Sequence, residues 1–433
     1  MSDNPHHFKR VIGVGALALT MVNGTIGAGI FGLPAFAAHG LGNAAIWAYL
    51  ACLVLVALVG LCLAEAGSRL PLQGGLYTYA TASFGTYIGT VAGHLLWFGE
   101  GVAANAAVAV LMVDTLGILV PALGTVFWRD LILVAWYILL AVTNVRGARQ
   151  GARLSELTSV IKLVPLVALV VFGLSHVHPA NLHVELPPSF RALSNTTVLV
   201  FFAFMGFEAS LAVGEEVVNP ERTIPRAIAT CVLLTGVLYI GLQLVSQGVL
   251  GAALANAGEV PLRTVADVVF GSVGGRLILV ATVLSTAGLV SSDILVSPRA
   301  LYALARDDSM PRFLARTSDH GTPAAAIITY CVLAALLALS GTFNALASVS
   351  AAATLLLYLI VVLGLFRLRA RNVRAERPPF VVPGGPVVPI AAAAVVIGVL
   401  SGLRGADLRA VAIFVAAALA VTFIYRRMAH RAG

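Results

Sequence analysis

The chain has 433 residues, of which 59% are hydrophobic and 11% charged, with a mean hydropathy of +0.96 and a net charge of +8. A soluble domain carries roughly 25% charged residues, so an ordinary soluble globule is excluded and an all-α polytopic membrane protein is expected. The basic charge reads as membrane topology, with no nucleic-acid footprint.

The chain starts with a polar stretch, Ser2 to His7, that has no signal-peptide cleavage pattern. The first span is therefore expected to be retained. Twelve transmembrane helices are predicted near 11–36, 42–66, 87–118, 130–147, 154–174, 193–216, 227–250, 276–298, 323–340, 344–366, 386–403 and 408–425. With both termini cytoplasmic, the outer side receives only Arg129, Arg191, Arg263, Arg276, Arg404 and Arg409 of the 27 Lys and Arg. Lys162 alone falls within a span. That asymmetry follows the positive-inside rule and sets the orientation in a cell membrane. Cys52, Cys62, Cys231 and Cys331 lie in apolar runs at no metal-ligand spacing, so they read as small apolar fillers. No metal or cofactor is expected.

Span 1 contains Gly24, Gly27, Gly29 and Gly32, with Pro34 just beyond. Glycine lets a helix unwind cheaply, and unwound backbone at membrane depth is tolerated where it lines a cavity or is buried in protein. Broken helices aim free N–H groups at an anion and free carbonyls at a cation, which suits the two ends of an amino acid. Gly24–Gly29 is read as the floor of a ligand site; close packing of small residues is the plainer alternative. Span 2 ends at Glu65, either a gate residue or a solvated helix end, before Gly74-Gly75 break the helix.

Span 3 carries Glu100 and Asn105 in small, apolar surroundings. A carboxyl there is costly unless it faces the interior. Span 5 holds Lys162, which either snorkels to the cytoplasm or turns inward. Span 6 has a second interruption, Phe204-Met205-Gly206-Phe207-Glu208, five spans after the first. Matching breaks in two five-span halves point to an inverted-repeat transporter with its site between them. The repeats are placed at 11–174 and 193–366, followed by a peripheral pair at 386–425, with tails at 1–10 and 426–433. Span 8 adds Ser291, Ser292 and Asp293.

Several stretches resemble the amino acid–polyamine–organocation superfamily in the order that family has them. They are Gly27-Ala28-Gly29-Ile30-Phe31-Gly32, Phe204-Met205-Gly206-Phe207-Glu208, Asn219-Pro220-Glu221-Arg222-Thr223-Ile224-Pro225, Gly74-Gly75-Leu76-Tyr77, and Leu301 to Asp307. The resemblance covers essentially the whole chain. It implies a leucine-transporter-like 5+5 fold with helices 1 and 6 unwound. It places the substrate carboxylate on amides of Gly27, Ala28 and Gly29, and the amine on carbonyls near Thr25–Ile26 and Phe202–Met205. Arginine/agmatine antiporters of the family have serine at the position of Ala28 and a gating tryptophan at that of Phe202. Lys162 matches the lysine that takes the place of sodium in proton-coupled members, with Ser291, Ser292 and Glu208 as coupling partners. The expected function is sodium-independent, proton-coupled amino acid transport. The alternative is exchange of cationic amino acids or polyamines, for which Glu100 and Asp293 are suggestive. A membrane enzyme or receptor is a remote alternative, because no nucleophile–His–acid set or phosphate loop occurs. The expected partners are an amino acid or amine, protons and lipid, with the protein a monomer or homodimer.

Overall fold

The computed structural model describes residues 10–147, 151–183, 189–307, 309–319, 321–375 and 377–432, side chains excepted at 151–161, 406 and 426–432. Of the predicted tails, residues 1–9 and 433 lie outside that description, while the backbone of 426–432 continues the last helix.

Helices follow one another as α1 (Val14–Thr25), α2 (Gly29–Leu41), α3 (Ile46–Arg69), α4 (Gly75–Phe84), α5 (Thr86–His94), α6 (Ala104–Leu119), α7 (Val126–Val145) and α8 (Gly151–Gly173). The second half holds α9 (Phe190–Phe201), α10 (Pro220–Leu250), α11 (Pro261–Val296), α12 (Pro298–Arg306), α13 (Ala324–Ser340), α14 (Phe343–Ala370), α15 (Val387–Leu400) and α16 (Gly405–Ala432). No strand occurs among the described residues, only two isolated bridges. Seven helical stretches are long and apolar enough to cross a bilayer, and shorter apolar helices, such as Val14–Thr25 and Phe190–Phe204, occupy other predicted spans.

The apolar surface argues the environment independently. In α7, Val126, Phe127, Leu131, Ile138, Leu139 and Val142 are all exposed. A contiguous apolar face of this kind belongs against lipid. Bulky aromatics fill the interior: Tyr49, Tyr239, Tyr330, Tyr358, Phe31 and Phe201 are fully buried.

Both predicted breaks are present. Between α1 and α2, Ile26 leaves helical geometry at ψ 83. After α9 the chain tightens to a 3-10 turn, then Met205 is extended and Gly206 sits at φ 108. That left-handed conformation is one that side chains other than glycine rarely adopt. A third irregularity was not anticipated: Leu95–Ala103, which includes Glu100, is π-helical. The eighth predicted span also begins earlier, because α11 starts at Pro261 and bends at Gly271 (φ 72).

α15 packs on α3, α9 and α14, while α16 packs on α5 and α14. Glu65 is not a solvated helix end. It is fully buried, and its carboxylate holds Arg69 (2.7 Å) and Arg369 (2.6 Å) in ion pairs and the Val382 amide at 2.8 Å. Arg69 is one helical turn along α3, but Arg369 comes from α14 and Val382 from the segment after it, so the sequence around Glu65 shows only part of this arrangement.

Candidate functional site

The two breaks meet. A Cβ added to Gly24 would lie 3.0 Å from the Gly206 carbonyl oxygen, and one on Gly29 would lie 2.7 Å from Ala203 Cα. Gly24 and Gly29 thus serve close backbone approach, and that approach brings the unwound segments together. Gly27 faces Leu289 of α11, whose methyl would lie 2.9 Å from an added Cβ. Ile26 and Ala28 are buried beside it.

The freed carbonyls are partly taken up within the protein. Thr25 O accepts from the Gly27 amide at 2.8 Å, and Thr25 Oγ1 donates back to Met21 O at 2.9 Å. The Tyr239 hydroxyl, reaching in from α10, lies 3.0 Å from Thr25 O and 3.0 Å from Ala203 O. One hydroxyl therefore spans both breaks. Its ring packs edge-on against Phe204 with centroids 5.0 Å apart. On the wall, Phe202 packs edge-on against Phe343 at 5.7 Å, and Met205 is buried.

Lys162 does not snorkel. It is buried, and its Nζ donates to Asn23 O at 2.7 Å, one turn before the first break. The hydroxyls of the eighth predicted span expected to join it are turned to their own helix, α11, instead: Ser291 donates to Ala287 O and Ser292 to Leu289 O. The lysine thus ties α8 to α1, with α11 packed against α8.

The three acids have different surroundings. Glu208 accepts from the Gly206 amide at 2.9 Å, while its other oxygen has no hydrogen-bond partner among the described residues. Glu100 also leaves a buried oxygen without a partner. Asp293 is saturated by comparison. Its carboxylate accepts from Asn105 Nδ2 at 2.7 Å and from the Tyr330 and Ser297 hydroxyls, and Asn105 Oδ1 in turn accepts from Tyr137 at 2.9 Å. Side chains of α6, α7, α11 and α13 are joined through this one aspartate. Its placement is that of a structural joint, so it lends little weight to a charged substrate.

Sequence reasoning missed Tyr239, Tyr330 and Tyr137. Each sits in an apolar helix at a spacing that marks nothing, and only the approach of other helices gives its hydroxyl a partner. The Glu65–Arg369 pair was missed for the same reason.

A family model for amino acid permeases matches residues 12–428. The chain is 30% identical over 410 residues to the serine/threonine exchanger SteT of Bacillus subtilis, covering 91% of each protein. It is 27% identical over 416 residues to the branched-chain amino acid permease BcaP of Lactococcus lactis, covering 89% of this chain and 88% of that one. Similarity extends to the methylthioribose transporter of Bacillus subtilis, at 26% identity over 427 residues.

Proposed function

This chain belongs to the amino acid permease family, a family of transporters and not of enzymes, and on that premise we propose that it is a sodium-independent, proton-coupled amino acid transporter working by alternating access. It is a multi-pass membrane protein of a kind known from bacteria. In this reading twelve helices cross the bilayer as a 5+5 inverted repeat with two further helices, and both termini are cytoplasmic.

The observation that carries the proposal is the meeting of the two broken helices at Gly24–Gly206 and Gly29–Ala203. Paired breaks give a carboxylate free amides and an ammonium free carbonyls at one place. The carboxylate is assigned to Gly27, Ala28 and Gly29, the ammonium to Thr25, Ile26 and the Phe202–Met205 segment, and the side chain to the space by Phe202, Met205 and Glu100. Lys162, a point charge with three donors, holds α1 from α8 and is the coupling group, with Glu208, Ser291 and Ser292 nearby in the scheme.

Uptake into liposomes tests this directly. Amino acid uptake should be unchanged when sodium is replaced by choline and should rise with an inward proton gradient. Sodium-stimulated uptake would overturn the coupling. Exchange is the second reading, favoured by the similarity to a serine/threonine exchanger. Counterflow without net, gradient-driven uptake would establish it instead.

A further inference from the structure

The segment between α14 and α15 is fastened to the protein very differently at its two contacts. On one side it is anchored. Arg69 Nη1 donates to Val373 O at 3.1 Å, Arg369 Nη1 to Gly385 O at 2.8 Å, and the Val382 amide to buried Glu65 at 2.8 Å. Charge-assisted bonds to a carboxylate removed from water are strong and are lost only with a large penalty. On the other side one side chain reaches out. Arg377 donates to Asn219 Oδ1 and pairs with Glu221 at 3.3 Å, its own side chain 61% exposed and that of Glu221 16%. A pair whose cation stands in water is screened and holds weakly beside the buried Glu65 pairs. Between the two lies a cavity of about 520 Å³ lined by Arg222, Pro378, Pro379 and Phe380 as well as the paired residues.

What Arg377 grips gives the contact its meaning. Asn219 and Glu221 stand where the second break's inner limb passes into α10, and Asn219 is held at φ 46. That limb is stitched to the lead-in of α1. Val11 and Ile12 amides donate to Glu216 O at 2.9 and 3.0 Å, and the Val218 amide donates to Ile12 O at 3.0 Å. It also meets the residues between α3 and α4, where Gln73 bridges Val213 and the Gly74 amide donates to Ala212 O at 3.3 Å. One short connector therefore carries the cytoplasmic ends of both broken helices.

We propose that Arg377 is a releasable clasp that holds this shared connector against the Glu65-anchored strap, and so biases the inner limbs of both broken helices toward the closed position. The proposal rests on the alternating-access reading. An anchor that cannot slip and a clasp that can are the two parts such a bias needs. Because a screened ion pair is weak, the clasp sets an equilibrium and does not block the path.

Cys231 supplies a native reporter. It is buried, with Sγ 3.7 Å from Thr25 Oγ1 beside the first break. Full-length protein is embedded in inside-out and right-side-out vesicles and treated with a membrane-impermeant maleimide. The modified cysteine is identified by peptide mass spectrometry. Arg377→Gln and Glu221→Gln should each raise Cys231 labelling from the cytoplasmic face about two- to fivefold, the range to which a screened pair converts. Labelling from the outer face should not rise. The double variant Arg377→Glu with Glu221→Arg should return the rate to that of the wild type. An unchanged cytoplasmic rate, a rise from both faces, or a swap that fails to restore would each overturn the clasp. Labelling needs no substrate, so this result stands apart from the uptake experiment and a failure of one is not a failure of the other.

Discussion

Glu65 and Glu208 are both carboxylates exposed by 1% or less, yet their surroundings are opposite. Glu65 meets two guanidinium groups and a backbone amide, and no oxygen is left over. Glu208 accepts from the Gly206 amide beside the second break with the Tyr358 ring close by, and among the described residues it has no cation on it and its other oxygen has no partner within hydrogen-bond distance. Burial alone therefore says little about what an acid does in this protein. A saturated carboxylate fixes the helices around it, because moving them would strand charges. A carboxylate with an open valence leaves its neighbours free to rearrange and has something to offer a proton or a ligand.

Substitution should separate the two most sharply at Glu65. Glu65→Gln leaves Arg69 and Arg369 facing a neutral group, and breaking a buried pair costs about 3–5 kcal/mol. The expected result is loss of monodisperse protein or a large fall in melting temperature. Glu208→Gln should keep the fold and lower uptake instead. Equal destabilisation by both would erase the contrast.

Lys162→Met is the next largest test. Removing the donor takes away the Lys162–Asn23 hydrogen bond and unties α8 from α1, so gradient-driven uptake should fall about tenfold, roughly the effect of 1.4 kcal/mol. Stabilisation by added amino acid, read as a thermal shift, should remain. Full gradient-driven uptake would place Lys162 with the structural groups.

Tyr239→Phe removes the one hydroxyl that spans both breaks. A neutral hydrogen bond contributes about 1 kcal/mol net, so a modest fall in melting temperature is expected, well below that of Glu65→Gln. A fall as large as that of Glu65→Gln would make Tyr239 part of the rigid frame.

The smallest effect concerns Glu259, in the loop between α10 and α11 near Asp114. Partial removal from water of this largely exposed residue, then the Asp114 charge, raise its carboxyl above the usual range. A raised acid favours folding when protonated and disfavours it when charged. Glu259→Gln should therefore stabilise slightly at neutral and alkaline pH, and the gain should vanish as pH falls through the carboxylate range. A gain independent of pH would show that charge is not the cause.

Much of this was legible in the sequence where backbone chemistry is local. Gly206 announces its own left-handed turn, and Gly27-Ala28-Gly29 their own interruption, because glycine acts on the residues that contain it. Lys162 was legible as inward-facing because nothing near it in the chain competes. Partnerships made at a distance were not. Asp293 looked like a pocket acid because Asn105, Tyr330 and Tyr137 lie far off in sequence. Glu65 looked solvated because Arg369 and Val382 are some three hundred residues away. The π-helical register around Glu100 left no mark at all, since ordinary helix-forming residues make it.

The contact of Gly24 with Gly206 has a consequence for how such a protein can diversify. A floor made of main chain offers mutation little to change, since a side chain added at Gly24, Gly29 or Gly206 meets backbone. Relatives with names as different as serine/threonine exchanger, branched-chain amino acid permease and methylthioribose transporter are then expected to differ in the walls. A library meant to redirect selectivity should hold the glycines constant and vary Ile26, Ala28, Phe202 and Met205.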